Sequence, residues 1–188
     1  LSGVRAIVLD YDQARLDLAE RLGAEKSFNL ADDNIENNIL ALTGGIGCDG
    51  ILIAAATDSS EPFQTAAAIG RDRARVCMVG LSGTEFPYAE FMKKEMSIIV
   101  SRSYGPGRYD EDYEGRGLKY PIGFVRWTET ENLGEVMRLM APETKHKLDV
   151  KSLITHHFDI GQAEDAFEMV LEKSEPHMGV MLTYPETI

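Results

Sequence analysis

A chain of 188 residues with 44% hydrophobic content can bury one good core, the ordinary composition of a globular protein. Its formal net charge of −12 excludes a nucleic-acid backbone as partner, because affinity there is carried by Lys and Arg. No apolar run approaches the ~20 residues of a membrane span and no signal peptide is visible, while Cys48 and Cys77 suit a reducing compartment; the expected location is cytoplasmic.

The first predicted element is a strand, Val4 to Leu9, six mostly apolar residues followed at once by a carboxylate, Asp10. Such a continuous run reads as a strand of a parallel sheet buried on both faces. An acid at its carboxyl end stands where a doubly wound sheet places the acceptor for a nucleotide's ribose hydroxyls. Arg15 falls one turn into the next helix, beside the same ribose. The plainer reading of Asp10 is a cap for a helix starting near Gln13.

Ala14 to Leu22 carry a helical apolar stripe that ends at Gly23. Lys26 to Asn29 reads as a short strand. A second helix opens at Asp32 and ends at Thr43-Gly44-Gly45. Ile51 to Ala56 is another buried-strand run, followed by a helix from Pro62 to Ile69 and a strand from Arg75 to Gly80. A short helix at Tyr88 to Lys94 and a strand at Ser97 to Val100 complete an alternation of strand and helix, the pattern of a parallel α/β sheet.

That rhythm breaks at Ser101. Between Ser103 and Gly123 lie five Gly, two Pro, four Tyr and the charged run Arg108-Tyr109-Asp110-Glu111-Asp112. A structureless loop of this length is uncommon and often functional, either contacting a substrate or wrapping a neighbour. A helix resumes at Leu133 to Met140, a strand is clearest at Ile154 to Phe158, an amphipathic helix reaches Lys173, and Val180 to Leu182 is a last short strand. The expected organisation is a dinucleotide-binding part over 1–125, including the loop 101–124, and a carboxy-terminal part over 126–188 that completes it and packs on a further domain.

Five segments in order, RLDLAERLGA (15–24), TGGIGCDGILI (43–53), RVCMVG (75–80), KKEMS (93–97) and LITHHFDIGQAEDAF (153–167), resemble the medium-chain dehydrogenases/reductases, the family of zinc-type alcohol and polyol dehydrogenases. The loop SYGPGRYDEDYE and the following YPIGFVRWTE are similar to a subgroup in which this unit is fused to a second oxidoreductase domain. The resemblance implies a Rossmann-like doubly wound parallel sheet that lacks its first βα unit, with its GxGxxG turn. It also implies hydride transfer between a nicotinamide, NAD(H) rather than NADP(H), and an alcohol or carbonyl carbon of a small-molecule substrate, a sugar or sugar derivative.

By that resemblance Asp10 and Arg15 would meet the adenosine ribose. Ala55, Ala56 and Thr57 would face the adenine half or the pyrophosphate. Val79, Gly80 and Leu81 would bring backbone to the nicotinamide, and Ser101 to Tyr104 would close that end. Tyr104, Arg108, Tyr109 and Arg126 are candidates for substrate contact, and no general acid or base is assigned. No zinc is expected in this chain: His146, His156, His157 and Cys48 do not replace a catalytic domain's ligands, and adjacent strand residues such as His156 and His157 point to opposite faces. The chain opens on a strand without an initiator Met, which reads as a fragment. A homo-oligomer, or pairing with the missing amino-terminal segment, is expected. The alternatives are a non-catalytic interaction module on the same scaffold and a Rossmann-like methyltransferase.

Overall fold

Strand and helix alternate as the apolar pattern dictates. The computed structural model describes residues 3–145 and 148–185, in two units: Val4–Leu133, and a second from Gly134 onward. The first holds β1 (Ile7–Asp10), α1 (Gln13–Arg21), β2 (Lys26–Asn29), α2 (Ile35–Leu42), β3 (Cys48–Ile53), α3 (Glu61–Ile69), β4 (Gly70–Met78), α4 (Tyr88–Lys93), β5 (Ser97–Val100) and α5 (Glu111–Glu114). Helix α6 (Glu129–Met140) leads into the second unit, where β6 (Ile154–Asp159), α7 (Ala163–Glu172) and β7 (Gly179–Thr183) form a βαβ motif with β6 parallel to β7.

All strand pairing is parallel. In the larger unit β1 pairs with β2, and β3, β4 and β5 form a separate sheet in that order. Ile7 lies opposite Lys26 and Ile53 opposite Met78. Both strands pair outward, so each keeps one edge without a strand partner among the described residues. A doubly wound sheet of order 3-2-1-4-5-6 stripped of strand 1 leaves two such pieces. The alternative, direct pairing of β1 with β3, does not occur.

The core sits on one face of β3–β4–β5. Ile53 and Val76 meet Phe63, Ala66 and Ala67 of α3 and Phe91 of α4, with Ile51, Met78, Met96 and Ile98 at its margin. Lys94, just past α4, fastens α4 to α3: its Nζ donates to the carbonyls of Ala67 at 2.6 Å and Gly70 at 2.9 Å, oxygens that the end of a helix leaves without partners. The opposite face is open, with Leu52 74% exposed and Ile99 49%. The expectation of strands buried on both faces is therefore corrected. An apolar run records that both faces can be buried, and here helices cover only one.

Several bounds also differ. The first strand starts at Ile7 and includes Asp10, and α2 begins at Ile35 rather than Asp32, behind Asn34 in a left-handed conformation. The strand expected from Arg75 begins at Gly70, directly after α3, with an irregularity between Gly70 and Arg75. Helix α6 starts at Glu129, four residues before the expected Leu133. Thr128 and Glu131 explain the early start. The Glu131 carboxylate accepts the Thr128 N–H at 3.2 Å, the capping-box arrangement that T-x-x-E encodes.

Candidate functional site

At the end of β1 two acids divide the work of the turn. Asp12, not Asp10, caps α1: its carboxylate accepts the Ala14 N–H at 2.9 Å, while Asp10 Oδ1 accepts the Asp12 N–H at 2.9 Å. The helix-cap reading of Asp10 is thereby corrected, and Asp12 is the residue that reading overlooked. Arg15 stands 3.8 Å from Asp10 Oδ2 and 3.6 Å from Asp12 Oδ2, too long for strong hydrogen bonds. Asp10 Oδ2 thus has only a loosely held cation beside it. A carboxylate at a strand end with accepting capacity to spare fits a pair of ribose hydroxyls.

Beyond the last paired residues of β3 and β4 the two chains stay in register. Leu81 N donates to Ala55 O at 3.0 Å and Thr57 N to Leu81 O at 2.9 Å, while Val79 N and Gly80 N both reach Ile53 O at 2.9 Å. The structure therefore brings Ala55, Ala56 and Thr57 together with Val79, Gly80 and Leu81. Most of these residues are exposed, so their backbone borders open space at the carboxyl ends of the strands, where ligands bind in open α/β sheets. Ser101 joins them through its N–H to Met78 O at 2.9 Å. No strand pairing links this group to Asp10 and Arg15.

Gly80 has a structural reason of its own. A Cβ there would drive into the Ala55 carbonyl oxygen and lie 2.8 Å from the Ala54 carbonyl carbon. The strand ends meet backbone to backbone, and neither a turn nor a ligand is needed to account for the glycine. Gly80→Ala is expected to lower stability by about 1–3 kcal/mol, since only backbone movement relieves the clash. Urea unfolding monitored by circular dichroism measures this, and an unchanged midpoint would show that the strand ends are not packed this way.

The segment after Ser101 is an ordered knot around α5, which corrects its reading as structureless. Asp110 caps α5, accepting from the N–H groups of Asp112 and Tyr113, and also accepts the Tyr120 hydroxyl. Tyr120 stacks on Tyr113 with ring centroids 5.3 Å apart, and the Tyr113 hydroxyl reaches Thr128 Oγ1 at 2.9 Å. Asn132 holds the Tyr104 carbonyl at 2.8 Å, and the Arg108 guanidinium lies over the Tyr109 ring at 4.5 Å while bonding Glu114 at 2.6 Å. Tyr104 and Tyr109 both sit in the left-handed region, at φ 63° and 67°. Bulky residues stay there only when surroundings impose it.

The Tyr120 hydroxyl, and then the α5 amides, hold the Asp110 carboxyl below the usual carboxylate range. A depressed native pKa contributes stability above the unfolded value of about 3.9 and loses it as pH falls through the native one. The loop is expected to resist proteolysis from neutral pH down to about 5 and to yield below about 4. Asp110→Asn should be cut equally fast at both. A wild-type loop cut equally at every pH would remove Asp110 from this role.

These features now stand beside known proteins. A family model described as zinc-binding dehydrogenase matches residues 1–115. The chain belongs to the zinc-binding dehydrogenase family. An L-threonine 3-dehydrogenase of Shewanella pealeana is 25% identical over 167 residues, covering 88% of this chain and 41% of that protein. The apo zinc-dependent alcohol dehydrogenase 2 of Streptococcus pneumonia superposes with a TM-score of 0.70 at 19% identity, over 97% of this chain and 45% of that one. An alcohol dehydrogenase from E. coli CFT073 solved with NADH gives 0.65 at 24%, over 94% and 44%. This chain thus spans less than half the length of the dehydrogenases it matches, and its fold is that of their Rossmann-type domains.

Family membership puts the acid at the β1 end and the open strand ends into one frame, but it brings no metal centre here. Among the described residues no three His, Cys, Asp or Glu lie close enough together to hold a metal ion. His146 lies outside the described residues. His156 alternates with His157 along β6 and turns toward Glu175, with Nε2 3.4 Å from its carboxylate. Among the described residues no helix is long and apolar enough to cross a membrane.

Proposed function

We propose that this chain is the cofactor-binding part of an NAD(P)-dependent dehydrogenase that moves a hydride between a nicotinamide and an alcohol or carbonyl carbon, on a sugar or sugar derivative. The observation that carries it is the outward pairing of β1 and β3, which keeps open the slot flanked by Asp10 on one side and the Ala55–Thr57 strand end on the other. Closure of the sheet would have erased that slot.

The nicotinamide, when bound, supplies the hydride chemistry; the protein supplies binding, orientation and electrostatics. Asp10 would accept the ribose hydroxyls, with Arg15 alongside. The backbone of Ala55, Ala56 and Thr57 would border the adenine half or the pyrophosphate, and that of Val79, Gly80 and Leu81 the nicotinamide. Ser101 and Tyr104 would close that end. The acid or base that moves the substrate proton belongs to parts of the enzyme outside these residues. The free thiols of Cys48 and Cys77 suit a cytoplasmic enzyme.

Titration of the full-length protein with NADH, followed by cofactor fluorescence and calorimetry, tests the reading. Micromolar binding that weakens in Asp10→Ala is the expected result. A folded full-length protein that takes up neither NADH nor NADPH would make the chain an interaction module.

A further inference from the structure

The knot around α5 also presents an outward surface that the cofactor reading leaves unused. The Phe124 N–H bonds the Pro121 carbonyl at 2.9 Å, closing a turn that puts Ile122 and Phe124 at its tip. Phe124 is 91% exposed, more than any other large apolar side chain among the described residues, and Ile122 is 67% exposed. Leu118 and Trp127 on the flanks are half exposed or more. Burying none of these side chains leaves a concentration of apolar surface that single scattered residues do not explain.

Charge says what covers it. Residues 115–127 carry Arg116, Lys119 and Arg126 and no acid, in a chain of net charge −12. Immediately before them, Asp110, Glu111, Asp112 and Glu114 are four acids within five residues. Arg116 is paired with Asp112, Arg126 with Glu131 and Arg108 with Glu114. Glu111 and Lys119 are both exposed and take part in no ion pair among the described residues. One loop therefore holds an acidic half, a basic half and an apolar tip, each with surface to spare. Such a patch is self-complementary: a two-fold axis through it sets the basic half of one copy on the acidic half of the other.

We propose that two copies of this chain associate through the 110–127 loop, with Phe124 and Ile122 as central apolar anchors and Lys119 facing Glu111 across the two-fold axis. Buried aromatic anchors carry most of the affinity of such interfaces, and the charges set register and specificity. The inference is independent of the cofactor reading.

Sedimentation equilibrium of the full-length protein tests it. Wild type is expected to form a dimer or a multiple of one. Phe124→Ser with Ile122→Ser should raise the dissociation constant about thirtyfold or more. Lys119→Glu should weaken association several-fold, and adding Glu111→Lys to it should restore wild-type affinity, which a general loss of charge would not do. All four positions are exposed, so unchanged circular dichroism is the control for folding. A protein still monomeric at about 100 μM overturns the proposal. So does an oligomer indifferent to every one of these changes. Unchanged mass with a lowered Tm in the Phe124 variant would assign the tip to a contact within one polypeptide instead, which overturns it as well.

Discussion

A polypeptide extended so that a parallel strand seats between β1 and β3 is expected to gain about 4 kcal/mol over the 188-residue chain. The inner edge of β3 offers a row of backbone donors and acceptors, and that of β1 another. Neighbouring strands lie about 4.8 Å apart, so one strand can bond both edges at once. Each new backbone bond contributes about 1 kcal/mol net, and several form together. The strand's own apolar side chains, and a following helix laid over exposed Leu52 and Ile99, offset the entropy of ordering the added residues. At this length 4 kcal/mol corresponds to roughly 8–16 °C in Tm.

Urea unfolding of the two proteins, with amide exchange in β1 and β3, measures the gain. Protection should rise in those strands first, and a proline in the middle of the added strand should cancel it, because the ring removes a donor. Equal midpoints with unchanged exchange would mean that nothing seats between β1 and β3. The cofactor reading would fall with it, since the pyrophosphate in a doubly wound sheet rests on the turn that follows the first strand.

The second large effect concerns Asp10. In the full-length enzyme Asp10→Ala is expected to lower kcat/KM with NAD about a hundredfold, through the loss of charge-assisted hydrogen bonds to two ribose hydroxyls. The same change should raise relative use of NADP, because the carboxylate no longer repels a 2′-phosphate. Arg15, freed of a carboxylate 3.8 Å away, then has an anion to meet. Arg15→Ala in the Asp10→Ala background should remove that gain, and the double variant separates electrostatics from simple disruption of the turn. Asp12 still caps α1 in these variants, so Tm should move little. A wild-type preference for NADP, unchanged in Asp10→Ala, would leave Asp10 without a role in cofactor choice.

Much of this was legible along the chain. The period-two and apolar runs placed β2 and β5 at their observed bounds, and α1, α3, α4 and α7 within a residue or two. The order of short motifs carried the family, and with it the doubly wound fold. Asp10 at a strand end, Arg15 in the first turn of α1 and the clustering of Thr57 with Gly80 all follow from local pattern, because the carboxyl ends of successive parallel strands share one edge of a sheet. A capping box at Thr128 and Glu131 was equally readable and marks the true start of α6.

Other features depended on the fold. Pairing is a non-local choice, so no run of residues says whether β1 meets β3 or turns away from it; the coordinates show both strands pairing outward. Gly80 reads as a turn or a cofactor contact until the Ala55 carbonyl is seen where its Cβ would lie. Asp10 and Asp12 are both capping residues by type, and only the hydrogen-bond directions separate them. The 103–123 loop shows why composition misleads in the other direction. Its glycines suggested slack, but Asp110, Tyr113, Tyr120 and Thr128, up to eighteen positions apart, close into one network. Local chemistry settles what each segment can be; which edges and side chains then meet is decided only when all the segments compete for partners at once.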